Sequence, residues 1–462
     1  MVDSDLIEAY ERGRIPPQHL RMTGLVAALI VFFLVGYWAC SDVWRRYAAD
    51  ILQLVASTGV PSWIASNVMY TILVLAMLFT VSLLLSLGVT CAAQRLGTTL
   101  IYVGIVLIVV VVSTPAVIPL FASGFNIVLI LSTWTAMLPG GLVLGVSLLL
   151  VVVFRRRLKR AGNLVRLTGG VCQDNKAVLV PPVIVTILAP VVGVVCGAIA
   201  LQFPGVIDAI RAISPWDVHM VIPVIVIAVV YLFIVSFLFN LSYSIVSAVT
   251  YIHIRGRQLS LTDGLKASMG LLRDLVLLSF ANMLVGIARV AMRSGGHQVR
   301  DRAGVDVEES IGSRVQRTWT LLNCFTIPVM VAERQGVRQA IRRSTGLLRR
   351  SFADVLIKET AVRWALKALA AVFVMGLGIA GIVTGWYLSG LRGAILIGLA
   401  FVIFSAIPSG IILRTLDIVY VTLLYVFVRQ QEGDIKGRTA IPGMIYDELL
   451  AAYRSAKMSR SL

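Results

Sequence analysis

Long runs of apolar residues, separated by short polar segments, are the dominant pattern along the chain. A helix rises 1.5 Å per residue and the bilayer hydrocarbon core is about 30 Å thick, so about 20 apolar residues cross it. The pattern predicts an all-α fold, a polytopic transmembrane helix bundle of about ten spans. The predicted spans are 22–40, 64–92, 100–121, 125–154, 178–203, 218–254, 275–293, 315–332, 366–388 and 393–428.

Composition supports a membrane protein. The chain is 58% hydrophobic and 14% charged, whereas soluble domains are about half apolar and about one quarter charged. The net charge of +18 is concentrated in the segments between the apolar runs, around Arg95, Arg155, Arg255 and Arg334. Since basic loops stay in the cytoplasm, these segments and both termini are expected there. The expected location is the plasma (inner) membrane of a prokaryote.

The densest basic block, RRRLKR at 155–160, marks the expected boundary between two regions. Residues 1–160 form an N-terminal region with the first four predicted spans, and residues 161–430 form a region with the other six. Residues 431–462 are expected to be a cytoplasmic tail. The mixed-charge segment 294–314 is expected to be a polar loop on the outer side.

A basic phrase occurs twice, as GLKASMGLLRD at 264–274 and AIRRSTGLLRR at 340–350. In each copy the larger apolar residues recur at helical spacing and form one stripe beside a cationic face. This predicts amphipathic helices near 261–273 and 337–353 that lie in the membrane surface. The stripes are Leu261, Leu265, Met269, Leu272 and Val276 in the first copy, and Ile341, Thr345, Leu348 and Phe352 in the second.

Both copies contain Ser-x-Gly-Leu-Leu-Arg, with glycine at Gly270 and Gly346. Glycine destabilises a helix interior by about 1 kcal/mol relative to alanine. Its presence in both copies predicts close packing or a bend where each surface helix meets the following span.

The cations of the two phrases are candidate contacts for anionic lipid or a partner protein. Each Lys or Arg near an anionic surface contributes about 1 kcal/mol of attraction. Two interpretations are open: the helices anchor cytoplasmic loops, or they form a specific platform for lipid or an acidic partner. The candidate residues are Lys266, Arg273, Arg338, Arg342, Arg343, Arg349 and Arg350.

Arg414 and Asp417 lie three residues apart within the last apolar run and form a candidate intramembrane ion pair. Residues at this spacing share one helical face, and pairing relieves part of the cost of burying either charge. An ionisable residue inside a span is a functional hypothesis by default. The alternatives are an ordinary pair at the membrane boundary, a pair that packs helices, and a pair that binds solute.

Isolated polar residues in the other spans are expected to have structural roles. Asn240, Asn282 and Asn323 are expected to hydrogen-bond to neighbouring helices. Glu333, at the end of a predicted span and beside Arg334, is expected to form a cap or an ion pair.

Signatures of enzymes are missing from the sequence. The four histidines stand alone, the five cysteines form no CxxC pair, and no Gly-rich phosphate loop follows a strand. The basic segments lack the interleaved aromatic residues of nucleic-acid-binding surfaces. The sequence therefore predicts no enzyme, no catalytic residue, no metal, no cofactor and no nucleic-acid partner.

Three segments, 239–272, 326–356 and 416–435, together resemble an uncharacterised domain-of-unknown-function (DUF) family of polytopic prokaryotic membrane proteins. In that family a Pro-Val…Glu segment precedes an Ala-Ile-Lys/Arg-Arg-Ser helix, and the last span ends in Leu-Tyr. The matching positions are Pro328, Glu333, 340–344 and Leu424-Tyr425, whereas SFADV at 351–355 departs from the pattern. The resemblance covers about the C-terminal half and implies architecture rather than chemistry.

Two functions fit these features. The first is an integral membrane protein without a catalytic site that carries a small solute or lipid. The alternative is a membrane scaffold or accessory subunit that binds anionic lipid or a partner protein through its basic helices. The environment of Arg414 and Asp417 discriminates between them, because a carrier requires these side chains to face a cavity.

Overall fold

The computed structural model describes residues 19–57, 73, 76–88, 90–91, 94–95, 97, 99, 102, 155, 159, 161–203, 218–257, 259–303, 319, 323–350, 362–433, 446 and 450. Throughout this part of the chain the regular structure is helical, and no strand occurs in it. The predicted all-α class is confirmed. The helices are α1 (His19–Ser57), α2 (Ala76–Gly88), α3 (161–174), α4 (Val180–Ala200), α5 (Val218–Ile254), α6 (Leu261–Gly270), α7 (Leu272–Ala303), α8 (Thr326–Glu333), α9 (Val337–Arg350) and α10 (Val362–Gln431).

Several of the described helices are long and apolar enough to cross a membrane, as a membrane protein requires. The four that meet both criteria are Arg21–Ala49, Lys176–Ala200, Ile222–Ile254 and Gly393–Gln431. The bent pair α6 and α7 makes a fifth if it is counted as one span. The total of ten stays a prediction, because span 125–154 lies outside the described residues, as do most of span 100–121 and part of span 64–92.

Of the segment predicted as a span at 315–332, the structure describes Trp319 and residues 323–332, with a turn at 323–325. The helix that follows the turn, α8, has 8 residues and is about 12 Å long at 1.5 Å per residue. It is too short to cross a bilayer by itself, and whether the whole segment is a span stays a prediction. Helix α8 ends at Arg334, which has φ +51° in the left-handed region, and the chain then enters α9.

The 70-residue helix α10 is folded into a hairpin. Gly390 has φ +64°, a conformation that favours glycine because it has no Cβ. Gly385 lies against Gly393 across the turn. Further along the two legs, Gly378 lies against Val402. These contacts require antiparallel legs and agree with the predicted break between residues 388 and 393.

Helices α6 and α7 replace the single surface helix predicted near 261–273. They meet at Leu271 with a bend of 74°. Gly264 packs so closely on α5 that a Cβ there would lie 2.9 Å from Val249 Cγ2. The bend directly follows Gly270, as predicted for the first phrase, but α9 runs through Gly346 without a break.

Two other boundaries differ from the predictions. Helix α7 continues to Ala303, so residues 294–303 are helical rather than part of a polar loop. In α9 the most buried residues are Val337, Ala340, Ser344 and Leu347, whereas Ile341, Thr345 and Leu348 are half-buried. The buried face differs from the predicted stripe because two of its residues, Ala340 and Ser344, are small and carry little hydrophobic signal. Whether α6 and α9 lie at a membrane surface stays a prediction.

Helix α5 lies at the centre of the described bundle and contacts α4, α6, α7, α8 and α10. Its buried face includes small polar residues such as Ser244, Ser247 and Thr250. Such residues let helices approach closely and form hydrogen bonds in an apolar medium. One of these bonds joins Ser247 Oγ of α5 to Thr422 Oγ1 of α10, at 3.1 Å. Large apolar side chains such as Tyr37, Trp38 and Leu391 are exposed, as on a surface that faces lipid.

Candidate functional site

A cavity of about 780 Å³ lies between α5, α7, both legs of α10 and the segment 319–327. Its lining residues fall within 232–243 of α5, 278–286 of α7, the segment 319–327, and 366–370 and 410–418 of α10. These positions are near the middle of the long apolar helices α5 and Gly393–Gln431. Most of the lining residues are apolar, and the polar ones comprise three asparagines, one tryptophan, a tyrosine, a serine, an arginine and an aspartate.

One part of the wall is a chain of hydrogen bonds that joins α5 to α7. Trp319 Nε1 donates to Asn282 Oδ1 at 2.9 Å, and Asn282 Nδ2 donates to Asn240 Oδ1 at 3.4 Å. Asn240 Nδ2 in turn donates to Ser279 Oγ at 2.8 Å. The predicted structural role of Asn240 and Asn282 is confirmed. Because these amides are bonded to one another, much of their hydrogen-bonding capacity is already used.

Asn323 is less completely satisfied. Its Oδ1 accepts a hydrogen bond from Thr326 Oγ1 at 3.2 Å. Its Nδ2 is buried and has no hydrogen-bond partner in the described part of the chain. Leaving a buried donor unpaired destabilises a protein by about 1–3 kcal/mol. Asn323 lines the cavity, but this nitrogen is itself buried in the wall.

Arg414 and Asp417, the predicted ion pair, both line this cavity. Arg414 is exposed and Asp417 is half-buried. The Arg414 Cζ atom lies 5.1 Å from the centroid of the Phe239 ring, within the range of a cation–π contact. The two charged residues thus face a cavity rather than a closed helix contact, and their pairing with each other stays a prediction.

A second polar cluster lies where α8, α9 and the end of α10 meet. Tyr425 donates its hydroxyl hydrogen to Glu333 Oε1 at 2.8 Å, and Arg429 Nη1 donates to the Tyr425 hydroxyl oxygen at 3.3 Å. The same Glu333 oxygen is 3.6 Å from Arg429 Nε and 3.7 Å from Arg343 Nε. Arg343 Nη2 also lies 3.7 Å from Glu432 Oε2. The predicted ion pair of Glu333 is confirmed, with partners that no local pattern indicated.

The other candidate lipid contacts have varied surroundings. Lys266 Nζ pairs with Asp263 Oδ1 at 3.2 Å. Arg273, Arg338 and Arg342 are exposed. Arg343 is already engaged in the Glu333 cluster. The side chains of Arg349 and Arg350 lie outside the described residues.

Asp274 has a structural role that the sequence did not indicate. Its Oδ1 accepts a hydrogen bond from the backbone N–H of Val337, the first residue of α9, at 2.9 Å. A carboxylate at this position satisfies a free N–H and interacts favourably with the helix dipole. The last residue of the first basic phrase thereby caps the helix that contains the second.

The described residues include no group of three or more His, Cys, Asp or Glu side chains that could hold a metal ion. Cys172, Cys196 and Cys324 are buried, Cys40 is half-buried and Cys91 is exposed. Burial, and then the charge of nearby Cys91, raises the pKa of the Cys172 thiol to about 12. This thiol is protonated at neutral pH, which makes it a poor nucleophile and metal ligand.

Comparisons with known proteins assign no family to the chain. No family model matches it, and no curated protein matches it. The resemblance of the C-terminal half to a DUF family stays a prediction, and the function is argued from the cavity and its side chains.

Proposed function

We propose that this protein is an integral membrane protein without a catalytic step that binds a small solute or lipid between α5, α7 and α10 and carries it. The observation that carries this proposal is the cavity of about 780 Å³ lined by Arg414 and Asp417. Its volume is within the range of about 300–1,000 Å³ found for small-molecule sites. Mostly apolar walls with a few polar groups are also typical of such sites.

The position of the polar groups supports the proposal. A charged side chain in the middle of a membrane span is destabilising by several kcal/mol, and such residues commonly mark solute paths. Carriers often bind their cargo near the membrane midplane, where helices are interrupted. Pro408, two residues before the cavity residue Gly410, lies inside α10. Because proline has no N–H, it leaves the carbonyl of residue 404 without its usual helical partner.

Three further predictions belong to this proposal. They are the ten-span topology with both termini in the cytoplasm, a prokaryotic plasma membrane location, and kinship with the DUF family. The basic segments between the spans support the first two, and the quoted motif segments support the third.

The alternative is a scaffold or accessory subunit. The exposed arginines Arg273, Arg338 and Arg342 favour it, because exposed cations attract anionic lipid and acidic partners. This function does not require an occupied cavity, and the experiment below separates the two.

A blocked cavity tests the proposal. Gly286 and Gly410 both line the cavity, and a Cβ on either would meet no atom within 4 Å. The variants Gly410→Phe and Gly286→Phe should therefore fill the space without disturbing the helices. The control is Gly376→Phe, which also has open space around its Cβ but is not a lining residue.

The measurement is native mass spectrometry of protein extracted in a mild detergent. We expect a small molecule bound to the wild type and to Gly376→Phe, with about tenfold less on the two blocked variants, since overpacking opposes binding by about 1–3 kcal/mol. Equal retention by all four proteins would contradict the proposal. A stoichiometric partner protein with no small molecule would favour the scaffold.

A further inference from the structure

We infer that the cavity selects an amphiphile with an anionic headgroup, a carboxylate or phosphate, and a hydrocarbon tail. This inference rests on the proposed function and names the class of molecule bound. It follows from which donors in the wall are engaged, which are available, and how much apolar space surrounds them.

The Arg414 guanidinium is the strongest candidate for the headgroup contact. It is exposed on the cavity wall, and its Cζ lies 5.1 Å from the Phe239 ring centroid. An aromatic ring has no lone pair, so this contact leaves the guanidinium N–H groups for an acceptor. Guanidinium groups bind carboxylates and phosphates with charge-assisted and often bidentate hydrogen bonds.

Asp417 lies on the same wall and repels an anion. It is half-buried, whereas Arg414 is exposed, and it has a polar contact of its own. The cation is therefore the more accessible of the two charges.

The hydrogen bonds of the other polar groups in the wall further limit which headgroup the cavity can bind. Asn240, Asn282 and Trp319 are hydrogen-bonded within the wall, so they offer less to a ligand. Asn323 Nδ2 has no hydrogen-bond partner in the described part of the chain, but it is buried within the wall. Arg414 is therefore the most exposed donor of the wall, and a headgroup with acceptor oxygens complements it.

The rest of the cavity fits hydrocarbon. A methylene group occupies a volume close to that of a water molecule, roughly 30 Å³. A cavity of about 780 Å³ therefore has room for a long hydrocarbon chain together with its headgroup. The aliphatic lining that would contact the chain includes Leu232, Val235, Leu278, Ile327, Leu366 and Leu413.

The experiment compares probes of one chain length: hexadecanoate, hexadecyl phosphate and neutral methyl hexadecanoate, with inorganic phosphate as the headgroup alone. Binding to the full protein in nanodiscs is titrated by competition with a labelled chain. We expect both acids to bind about ten- to a hundredfold more tightly than the methyl ester, since a hydrogen bond to a charged group is that much stronger. Inorganic phosphate should not compete.

The variant Arg414→Gln should reduce the preference for acid over ester to less than about threefold, and Arg414→Lys should retain part of it. The matched control is Arg46→Gln, since Arg46 is 59% exposed on α1 and remote in sequence from the cavity; it should keep the full preference. Thermal unfolding of each variant identifies any that fail to fold, and Arg414→Lys then carries the test.

The outcomes separate this inference from the proposed function. If wild type binds acid and ester equally, or Arg414→Gln keeps the preference, the inferred ligand class is wrong. If Gly410→Phe then abolishes the binding of both probes, the cavity still binds a ligand and the proposed function stands. If no probe binds, or Gly410→Phe binds as wild type does, both the inference and the proposed function fail.

Discussion

Glu333 accepts a hydrogen bond from Tyr425 and faces the guanidinium groups of Arg343 and Arg429. It is the last residue of α8, where the partial negative charge of the helix dipole disfavours a carboxylate. The two arginines offset this effect. Arg334 follows in the left-handed conformation and turns the chain into α9.

The variant Glu333→Gln tests the energetic role of this cluster. The amide oxygen still accepts from Tyr425, but Arg429 loses the carboxylate it faces and Arg343 keeps only Glu432. Glu333 and Arg429 are 11% and 12% exposed, so we expect the free energy of unfolding to fall by about 2–4 kcal/mol, slightly below the cost for a fully buried pair. The measurement is unfolding in mild detergent by titration with SDS.

The matched control is Asp42→Asn, which makes the same chemical change in a more exposed pair within one helix. Asp42 Oδ2 and Arg46 Nη2 are 2.9 Å apart, and the two side chains are 23% and 59% exposed. Such surface pairs contribute about 0.2–1 kcal/mol. Equal losses for Asp42→Asn and Glu333→Gln would contradict the structural role assigned to the cluster.

At the scale of single residues, the sequence indicated which side chains would form hydrogen bonds or ion pairs. It did not always indicate their partners. The charge of Glu333 at a span end predicted an ion pair, and the isolated amides of Asn240 and Asn282 predicted hydrogen bonds. Tyr425 and Asp274 were missed because their partners are 92 and 63 residues away in the chain. Helical periodicity carries no information about contacts of that separation.

At the scale of elements, the hairpin of α10 depends on glycine at the contact between its legs. A Cβ on Gly385 would meet the carbonyl group of Gly393 on the opposite leg. Since that contact is with backbone, the clash is relieved by separating the legs rather than by rotating a side chain. On the same leg, a Cβ on Gly376 would meet no atom within 4 Å.

Two single variants, Gly385→Ala and Gly376→Ala, test this packing, because they make the same substitution at a contact site and at an open site. We expect Gly385→Ala to lower the free energy of unfolding by about 1–3 kcal/mol through overpacking. Gly376→Ala should leave it unchanged or raise it by up to about 1 kcal/mol, because alanine is the better helix former. Thermal unfolding in detergent measures both, and a loss of similar size at Gly376 would contradict the hairpin contact.

The sequence predicted long helices well and amphipathic ones less well. The span predicted at 218–254 has the bounds of α5, and that at 178–203 contains α4, because uninterrupted apolar runs leave few alternative structures. The buried face of α9 was displaced because Ala340 and Ser344 are small and carry little hydrophobic signal. Gly270 correctly indicated the break at Leu271. The equivalent Gly346 suggested a bend as well, but α9 continues through it.

At the scale of the whole molecule, the second leg of α10 connects the two polar sites. It lines the cavity at 410–418 and contributes Tyr425 and Arg429 to the Glu333 cluster. Residues 417 and 425 are about 12 Å apart along a helix at 1.5 Å per residue. The cavity thus lies deeper along the helix, and the ionic cluster lies toward its end.

The cavity itself was not predictable from the sequence, because its wall is assembled from five separate segments of the chain. Arg414 and Asp417 were recognised as unusual charges in an apolar run. Phe239, Trp319 and Gly410 gave no signal, since aromatic residues and glycines are common in membrane helices. Their juxtaposition is a property of the packed bundle.

The most direct test of the central claim, that the cavity binds a small molecule, is photocrosslinking in native membranes. A photoreactive analogue of hexadecanoate is incorporated, and the modified peptides are identified by mass spectrometry. The account predicts adducts within 232–243, 278–286 or 410–418, suppressed by excess hexadecanoate and by Gly410→Phe. Adducts confined to outward-facing residues such as Leu391 and Leu399, unaffected by either, would contradict it.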